Sequence, residues 1–180
     1  LKNSIVINDM KAQRQVLSAT IGSLENRIDS LVDLIKFSPI DGEKPFQNFL
    51  GTLGKIFGST AGLILRFHND GSTECLARLD SSQCPKLEPF EEKIVKTIQE
   101  NPSKKVIVQE KPGGPKLYGY PLSNGSRLNG VLLIQIAENQ NYESGLIDVV
   151  AQLAKEHLSL LVLREERDLW ENFYQTNLKE

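Results

Sequence analysis

Cys75, Cys84, His68 and His157 are the only thiols and imidazoles in the 180 residues, so nucleophilic, redox or soft-metal chemistry has to be built from these four. No two stand at a ligand spacing such as C-x-x-C or H-E-x-x-H, and the spacing signal for a metal is absent. A reactive thiol needs a neighbouring histidine, a lysine cluster or a helix N-terminus to lower its pKa, and neither cysteine has one in sequence. No nucleophile, base and orienting group can be assembled from the set with support from spacing. Cys75 falls in an alternating strand pattern and reads as a small core residue. Cys84, ahead of Pro85 in a polar loop, keeps a redox or covalent role open. His68 reads as part of a turn, and His157 as a residue on the flank of the last helix. Gly113-Gly114 lacks the G-K-[ST] ending of a phosphate loop and reads as a flexible turn.

A second group of residues suits binding rather than catalysis. In the strand expected over 61–67, Leu63, Leu65 and Phe67 share one face and Arg66 falls with Ile64 on the other. In the strand expected over 130–137, Gln135 falls with Val131 and Leu133, opposite Leu132, Ile134 and Ile136. One sheet face is then apolar, and the other carries polar heads. Arg66, Arg78, Tyr118, Tyr120 and Gln135 are the candidates to line a small-molecule pocket over that polar face, with an arginine as anchor for an anionic or carbonyl group and a tyrosine as a flat wall. The alternative for each arginine is a solvated edge residue.

The elements that would position them follow from periodicity. Met10, Leu17, Ile21, Leu24, Ile28, Leu31 and Ile35 settle into alternating fours and threes, the seam of a coiled coil. The spacing predicts a long helix from about Met10, capped by Asn8 or Asp9 and ended by Ser38-Pro39 and Asp41-Gly42. Phe46, Phe49, Leu50, Leu53, Ile56 and Phe57 form the wider stripe of a core-facing helix. Ala61–Phe67, the His68-Asn-Asp-Gly71 turn and Thr73–Leu79 predict a hairpin. Phe90, Ile94, Val95 and Ile98 mark a short helix ended by Asn101-Pro102, and Val106–Val108 a third strand. Leu117–Leu122 and Gly130–Ala137 form two more strands across Ser123–Ser126, the last so apolar that it belongs at the sheet centre. A final helix begins near Tyr142, and its wide apolar face narrows into a seam at Leu160, Leu163, Arg167, Trp170 and Tyr174.

Composition excludes several classes. With 21 Lys+Arg against 23 Asp+Glu, and no basic cluster interleaved with aromatics, a nucleic-acid partner is not expected. No apolar run, Val131–Ile134 included, approaches the roughly 20 residues that span a bilayer, so no membrane contact by this chain is expected. Two cysteines cannot form a disulfide framework at this length, which fits a reducing cytoplasm. A chain opening at Leu1, without a methionine or a secretory leader, reads as a fragment of a longer protein.

From about Pro45 to Arg164 the chain resembles a GAF domain. The likeness is carried by Ala61-Gly-Leu-Ile-Leu-Arg-Phe67 as first strand, and by Tyr120-Pro-Leu122 followed by Asn129-Gly-Val-Leu-Leu-Ile134 as closing pair. The family commonly has a P-L … G-x-L arrangement there. The resemblance implies an α+β fold, a central antiparallel sheet of five or six strands flanked by long N- and C-terminal helices. It divides the chain into a signalling helix over 1–44, the GAF-like domain over 45–164, and a helix over 165–180 leading to a missing output module such as a kinase, cyclase or phosphatase. The implied function is non-catalytic sensing of a small molecule that the residues do not name, and no cofactor is indicated. The methionine sulfoxide reductase activity of some GAF-like proteins draws on a third cysteine, which is absent. Bilin attachment commonly places a histidine beside the cysteine, where Cys84 has Pro85. The N-K-F-D-E type sequence of cyclic-nucleotide-binding members is missing too. A homodimer is expected through Leu17, Ile21, Leu24, Ile28 and Leu31 of the first helix and Leu163 and Trp170 of the last. The competing expectation is a purely structural dimerisation module without a ligand, and a more distant one a thiol-dependent methionine sulfoxide reductase-like enzyme.

Overall fold

A computed structural model describes residues 2–36, 44–57, 60–80, 88–109, 114–136 and 144–177, and every structural statement below concerns these. The elements in chain order are α1 (Lys2–Lys36), α2 (Pro45–Phe57), β1 (Thr60–Phe67), β2 (Thr73–Leu79), α3 (Glu88–Glu100), β3 (Val106–Gln109), β4 (Lys116–Asn124), β5 (Arg127–Ile136) and α4 (Ser144–Asn177). The strands form one five-stranded sheet in the order β2-β1-β5-β4-β3, with every neighbouring pair antiparallel. The most apolar strand, β5, is central as its composition predicts.

Local chemistry accounts for the framework. Pro45 opens α2 at the position where its missing N–H costs no helical bond, while the Lys44 carbonyl accepts from the amides of Gln47 and Asn48 at 3.1 and 3.2 Å. The predicted stripe Phe46, Phe49, Leu50, Leu53, Ile56 and Phe57 is buried in full. Each such side chain contributes about 1.5–3 kcal/mol when wholly removed from water. The β1–β2 turn closes through the His68 amide donating to the Ser72 carbonyl at 2.9 Å. Gly71 there takes a φ of +84°, and the Asp70 carboxylate accepts from the Ser72 amide and hydroxyl at 2.8 and 2.6 Å. The outer edge of β2 is covered by α2, whose Gln47 side chain donates to the Arg78 carbonyl at 2.7 Å and accepts from its amide at 3.2 Å. An otherwise open sheet edge is thereby closed. Pro121 is tolerated inside β4 because β3 pairs with β4 only as far as Gly119, leaving an open side where no N–H is needed.

Two cores lie on the two faces of the sheet. On one, Ile64, Tyr120, Leu122, Leu132 and Ile134 pack against α2 and α4, with Leu34 of α1 joining them. On the other, Leu63, Leu65, Leu117, Val131 and Leu133 pack against Ile94 and Ile98 of α3. The terminal helices therefore share one face and the 88–100 helix takes the other, the expected layering, but the faces of β1 are exchanged: Leu63, Leu65 and Phe67, the apolar face on which the terminal helices are expected, pack on α3, and Ile64 faces the terminal helices.

The structure corrects several expectations. α1 runs unbroken from Lys2, so Asn8 and Asp9 lie within the helix and do not cap it. Leu31 packs against the core, and the neighbouring Leu34 is buried outright, so the last turns of α1 are an attachment to the domain rather than a free seam. Cys75 is exposed: a register shift between Ile64 and Leu65 pairs Leu65 with Cys75 and breaks the alternation on which a core position rested. His157 is buried, not on a flank, with its ring 6.0 Å from that of Phe49. Cys84 and Gly113 lie outside the described residues.

Candidate functional site

The five candidate ligand residues do not converge. Arg78 is paired with Leu63, and Gln135 with Ala61 and Leu117, so these two belong to the α3 face. Arg66, Tyr118 and Tyr120 belong to the helix face with Ile64, Ile134 and Leu132. The expectation that all five reach one pocket fails because Arg66 and Gln135 sit on opposite sides of the pleat.

Each residue has its own environment. Arg66 is 9% exposed and forms a two-pronged ion pair with Glu165 of α4. Its Nη1 donates to Oε1 at 2.8 Å while Nη2 meets Oε2. That pairing holds the Glu165 carboxyl below the usual carboxylate range. Glu74 of β2 is a second carboxylate at ion-pair distance, 3.8 Å from Arg66. Arg78 donates to Glu91 of α3 at 2.8 Å. The Tyr120 hydroxyl donates to Asp148 at 2.8 Å, and burial first, then this bond, raises the phenol's pKa. Asp148 also accepts from Lys105 at 2.8 Å; Lys105 and then Tyr120 lower its pKa. Gln135 is 3% exposed, and its Oε1 has no hydrogen-bond partner.

Among the described residues, α3 packs directly on the sheet. Ile94 and Ile98 are buried there, and a Cβ on Gly119 would meet Ile94 Cγ2 at 2.5 Å. Two open clefts lie on the helix side. One of about 420 Å³ is bordered by Ser103, Lys105, Tyr120, Asp148 and Lys155. Another of about 320 Å³ lies between the β1–β2 turn and α4, beside Arg66, Arg127 and Leu169. Among the described residues no group of three or more His, Cys, Asp or Glu could hold a metal.

The helix surfaces are the other candidate site. Leu17, Ile21, Leu24 and Ile28 of α1 are 48–62% exposed, and Leu163 and Trp170 of α4 are 54% and 61% exposed. The sheet-facing stripe of α4 ends at Val162, its last buried apolar residue. Trp170, Phe173 and Tyr174 cluster beyond it with ring centroids 6.1–6.2 Å apart, a concentration of aromatics that three- and four-residue spacing alone could have flagged. Sequence reasoning missed Glu165 as the partner of Arg66 altogether, because residues 99 positions apart leave no local signal. Among the described residues no helix is long and apolar enough to cross a membrane.

No protein-family model matches the chain, and no curated protein matches it. Solved structures do. The GAF domain of a proposed sensor histidine kinase from Pseudomonas syringae pv. tomato aligns with a TM-score of 0.51 at 19% identity, over 86% of this chain and 98% of that one. The nlh2 GAF domain of A. aeolicus in an inactive state aligns with a TM-score of 0.51 at 10% identity, over 81% of this chain and 99% of that one. The fold of this chain is therefore that of a GAF domain, as the strand motifs around Ala61–Phe67 and Tyr120–Ile134 imply.

Proposed function

We propose that the chain is a non-catalytic regulatory module of the cytoplasm that forms a parallel homodimer through α1 and α4, senses a small molecule, and passes the state of its sheet along α4 to an output domain such as a kinase, cyclase or phosphatase. The observation that carries the reading is the exposed apolar stripe of α1, Leu17, Ile21, Leu24 and Ile28, which the domain leaves uncovered. Covering each of these side chains is worth about 1.5–3 kcal/mol, and a stripe of such residues marks an interaction surface. A second copy supplies the same stripe by symmetry, and two copies of α1 and α4 make a four-helix bundle about a two-fold axis. The fold shared with a domain of a proposed sensor histidine kinase supports the sensory direction by analogy of fold.

Gln135 supports the ligand, since a buried amide oxygen without a partner costs free energy that a donor on a bound molecule would recover. Arg78, on the same sheet face and paired with Glu91 of α3, is the candidate anchor there. A second reading, a dimerisation module without a ligand, is favoured by the packing of Ile94 and Ile98 into the space that a ligand under α3 would need.

Sedimentation equilibrium tests the dimer: the wild-type chain is expected to sediment as a dimer, and Leu24→Asp with Ile28→Asp as a monomer. A wild-type monomer at high micromolar concentration would remove the interface. Mass spectrometry of material released on denaturing the full-length protein decides between the two readings of the pocket.

A further inference from the structure

α4 leaves the sheet in a particular way. Apolar burial ends at Val162, and the next contacts to the sheet are two ion pairs made by adjacent residues. Glu165 pairs with Arg66 of β1, and Glu166 accepts from Arg127 of β5 at 3.1 Å. Adjacent residues of a helix project about 100° apart, so the two arginines grip α4 from two directions and fix its rotation as well as its position. The pairs differ in burial. Arg127 and Glu166 are about half exposed, whereas the Arg66 side chain is 10% exposed. An exposed pair contributes little, but a buried arginine left without an acceptor is strongly unfavourable.

Glu74 removes that obstacle to release. It lies on β2 with its Oε2 3.8 Å from Arg66 Nη1, and the same oxygen meets His68 Nε2 at 3.1 Å. We infer that Arg66 is a two-position latch: paired with Glu165 it holds the exit of α4 against the sheet, and by moving to Glu74 it frees that exit without being stranded. The flanking residues of the same strand, Leu65 and Phe67, pack on the α3 core. A displacement on the α3 face is thus carried by β1 directly to the guanidinium that holds α4. The regulatory purpose of the latch rests on the reading of α4 as the signalling helix, but its geometry does not, and the two can fail separately.

The test is a double-mutant cycle on the whole 180-residue chain. Glu165→Gln alone and Glu74→Gln alone each leave Arg66 one carboxylate and are expected to change the unfolding constant only slightly. The double variant strands the guanidinium, and its unfolding constant should exceed the product of the single effects by roughly tenfold or more. In a chain carrying Arg66→Met the same cycle should show no coupling, a result that a merely structural role for either glutamate would not produce. Glu165→Gln alone should also speed amide exchange over Arg164–Trp170 several-fold while that of Val150–Leu158 stays unchanged. Additive effects in the cycle, or coupling that survives Arg66→Met, would overturn the latch. Unchanged exchange over Arg164–Trp170 would do the same. Sedimentation of each variant reports separately on the dimer, so loss of the dimer with the cycle intact would sink the functional reading and leave the latch standing.

Discussion

Ile94 Cγ2 lies 2.5 Å from the point that a Cβ on Gly119 would occupy, with Ile98 Cδ1 at 3.1 Å and Leu133 Cδ2 at 3.4 Å behind it. The α3 helix is seated on β4 at a distance that only glycine allows. Gly119→Ala should therefore overpack this core and destabilise the chain by about 1–3 kcal/mol in urea unfolding. If a ligand enters by lifting α3, the penalty should shrink in the ligand-loaded protein. An alanine variant as stable as wild type would mean that α3 is not held at this distance in solution. Gly130 is the sharper case, because its Cβ would meet the Leu65 backbone carbonyl at 2.2 Å, and backbone yields less than a side chain. Gly130→Ala should be the more damaging of the two.

Gln135 separates the two readings of the pocket. Its Oε1 is buried without a partner between Ala61 and Leu117 on the neighbouring strands. Replacing a buried unsatisfied amide by an apolar group of similar volume removes a desolvation cost of about 1–3 kcal/mol. Gln135→Leu should raise the midpoint of thermal unfolding of ligand-free protein and abolish retention of any small molecule found by mass spectrometry. A lower midpoint in ligand-free protein would show that the amide serves the fold itself.

The layering of the fold was legible because it rests on periodicity. The stripe from Phe46 to Phe57 specifies which side α2 buries, and the structure follows it; the alternation of Leu63, Leu65 and Phe67 marks one apolar face of β1, but α3 covers that face and the terminal helices take the other. The candidate site was less legible for two physical reasons. Alternation sorts residues within one strand, but whether Arg66 of β1 and Gln135 of β5 share a face is set by the register between the strands, which pairs Arg66 with Gly130 and Gln135 with Ala61, and the contacts that hold the polar residues come from partners far away in the chain, such as Glu165 and Asp148. A bulge also defeats alternation locally, as at Cys75, where one shifted register moves a residue from an expected core position to the surface.

Acid should loosen the anchoring of α4 at both ends. Asp148, near its start, is held below the ordinary carboxylate range by Lys105 and then by Tyr120, and Glu165, near its exit, by Arg66. A carboxyl with a depressed folded pKa contributes stability that is complete above its unfolded value and is lost as pH falls through the lower folded one. Stability should therefore begin to decline below about pH 4, near the unfolded carboxylate values. Both carboxylates are partly exposed, so the slope from these two groups should be shallow. Urea midpoints at descending pH should fall less for a chain carrying Asp148→Asn and Glu165→Gln than for wild type; equal slopes would show that neither pairing is maintained in solution.

His157 should produce a separate decline at higher pH. Its ring sits between α4 and Phe49 of α2, and burial lowers its pKa, with the charge of Glu156 and a hydrogen bond to the Leu34 backbone acting in the opposite direction. For a base the depressed folded value means that the unfolded chain takes up the proton first. The sign follows: the contribution is fully present above the unfolded histidine value of about 6.5 and is lost as pH falls below it, until the folded ring also protonates. The paired carboxylates titrate below that window, so the difference in unfolding midpoint that replacing a histidine makes between pH 7 and about 5.5 reports on that imidazole. The chain has only one other histidine, His68, and a His68→Gln background isolates His157. In that background the midpoint should drop as the pH is lowered across the window, and His157→Gln should flatten the drop. A pH-independent midpoint in the His68→Gln chain would mean that His157 is solvated in solution, and with it that the contact of Leu34 with α4, which docks α1 onto the domain, is not formed.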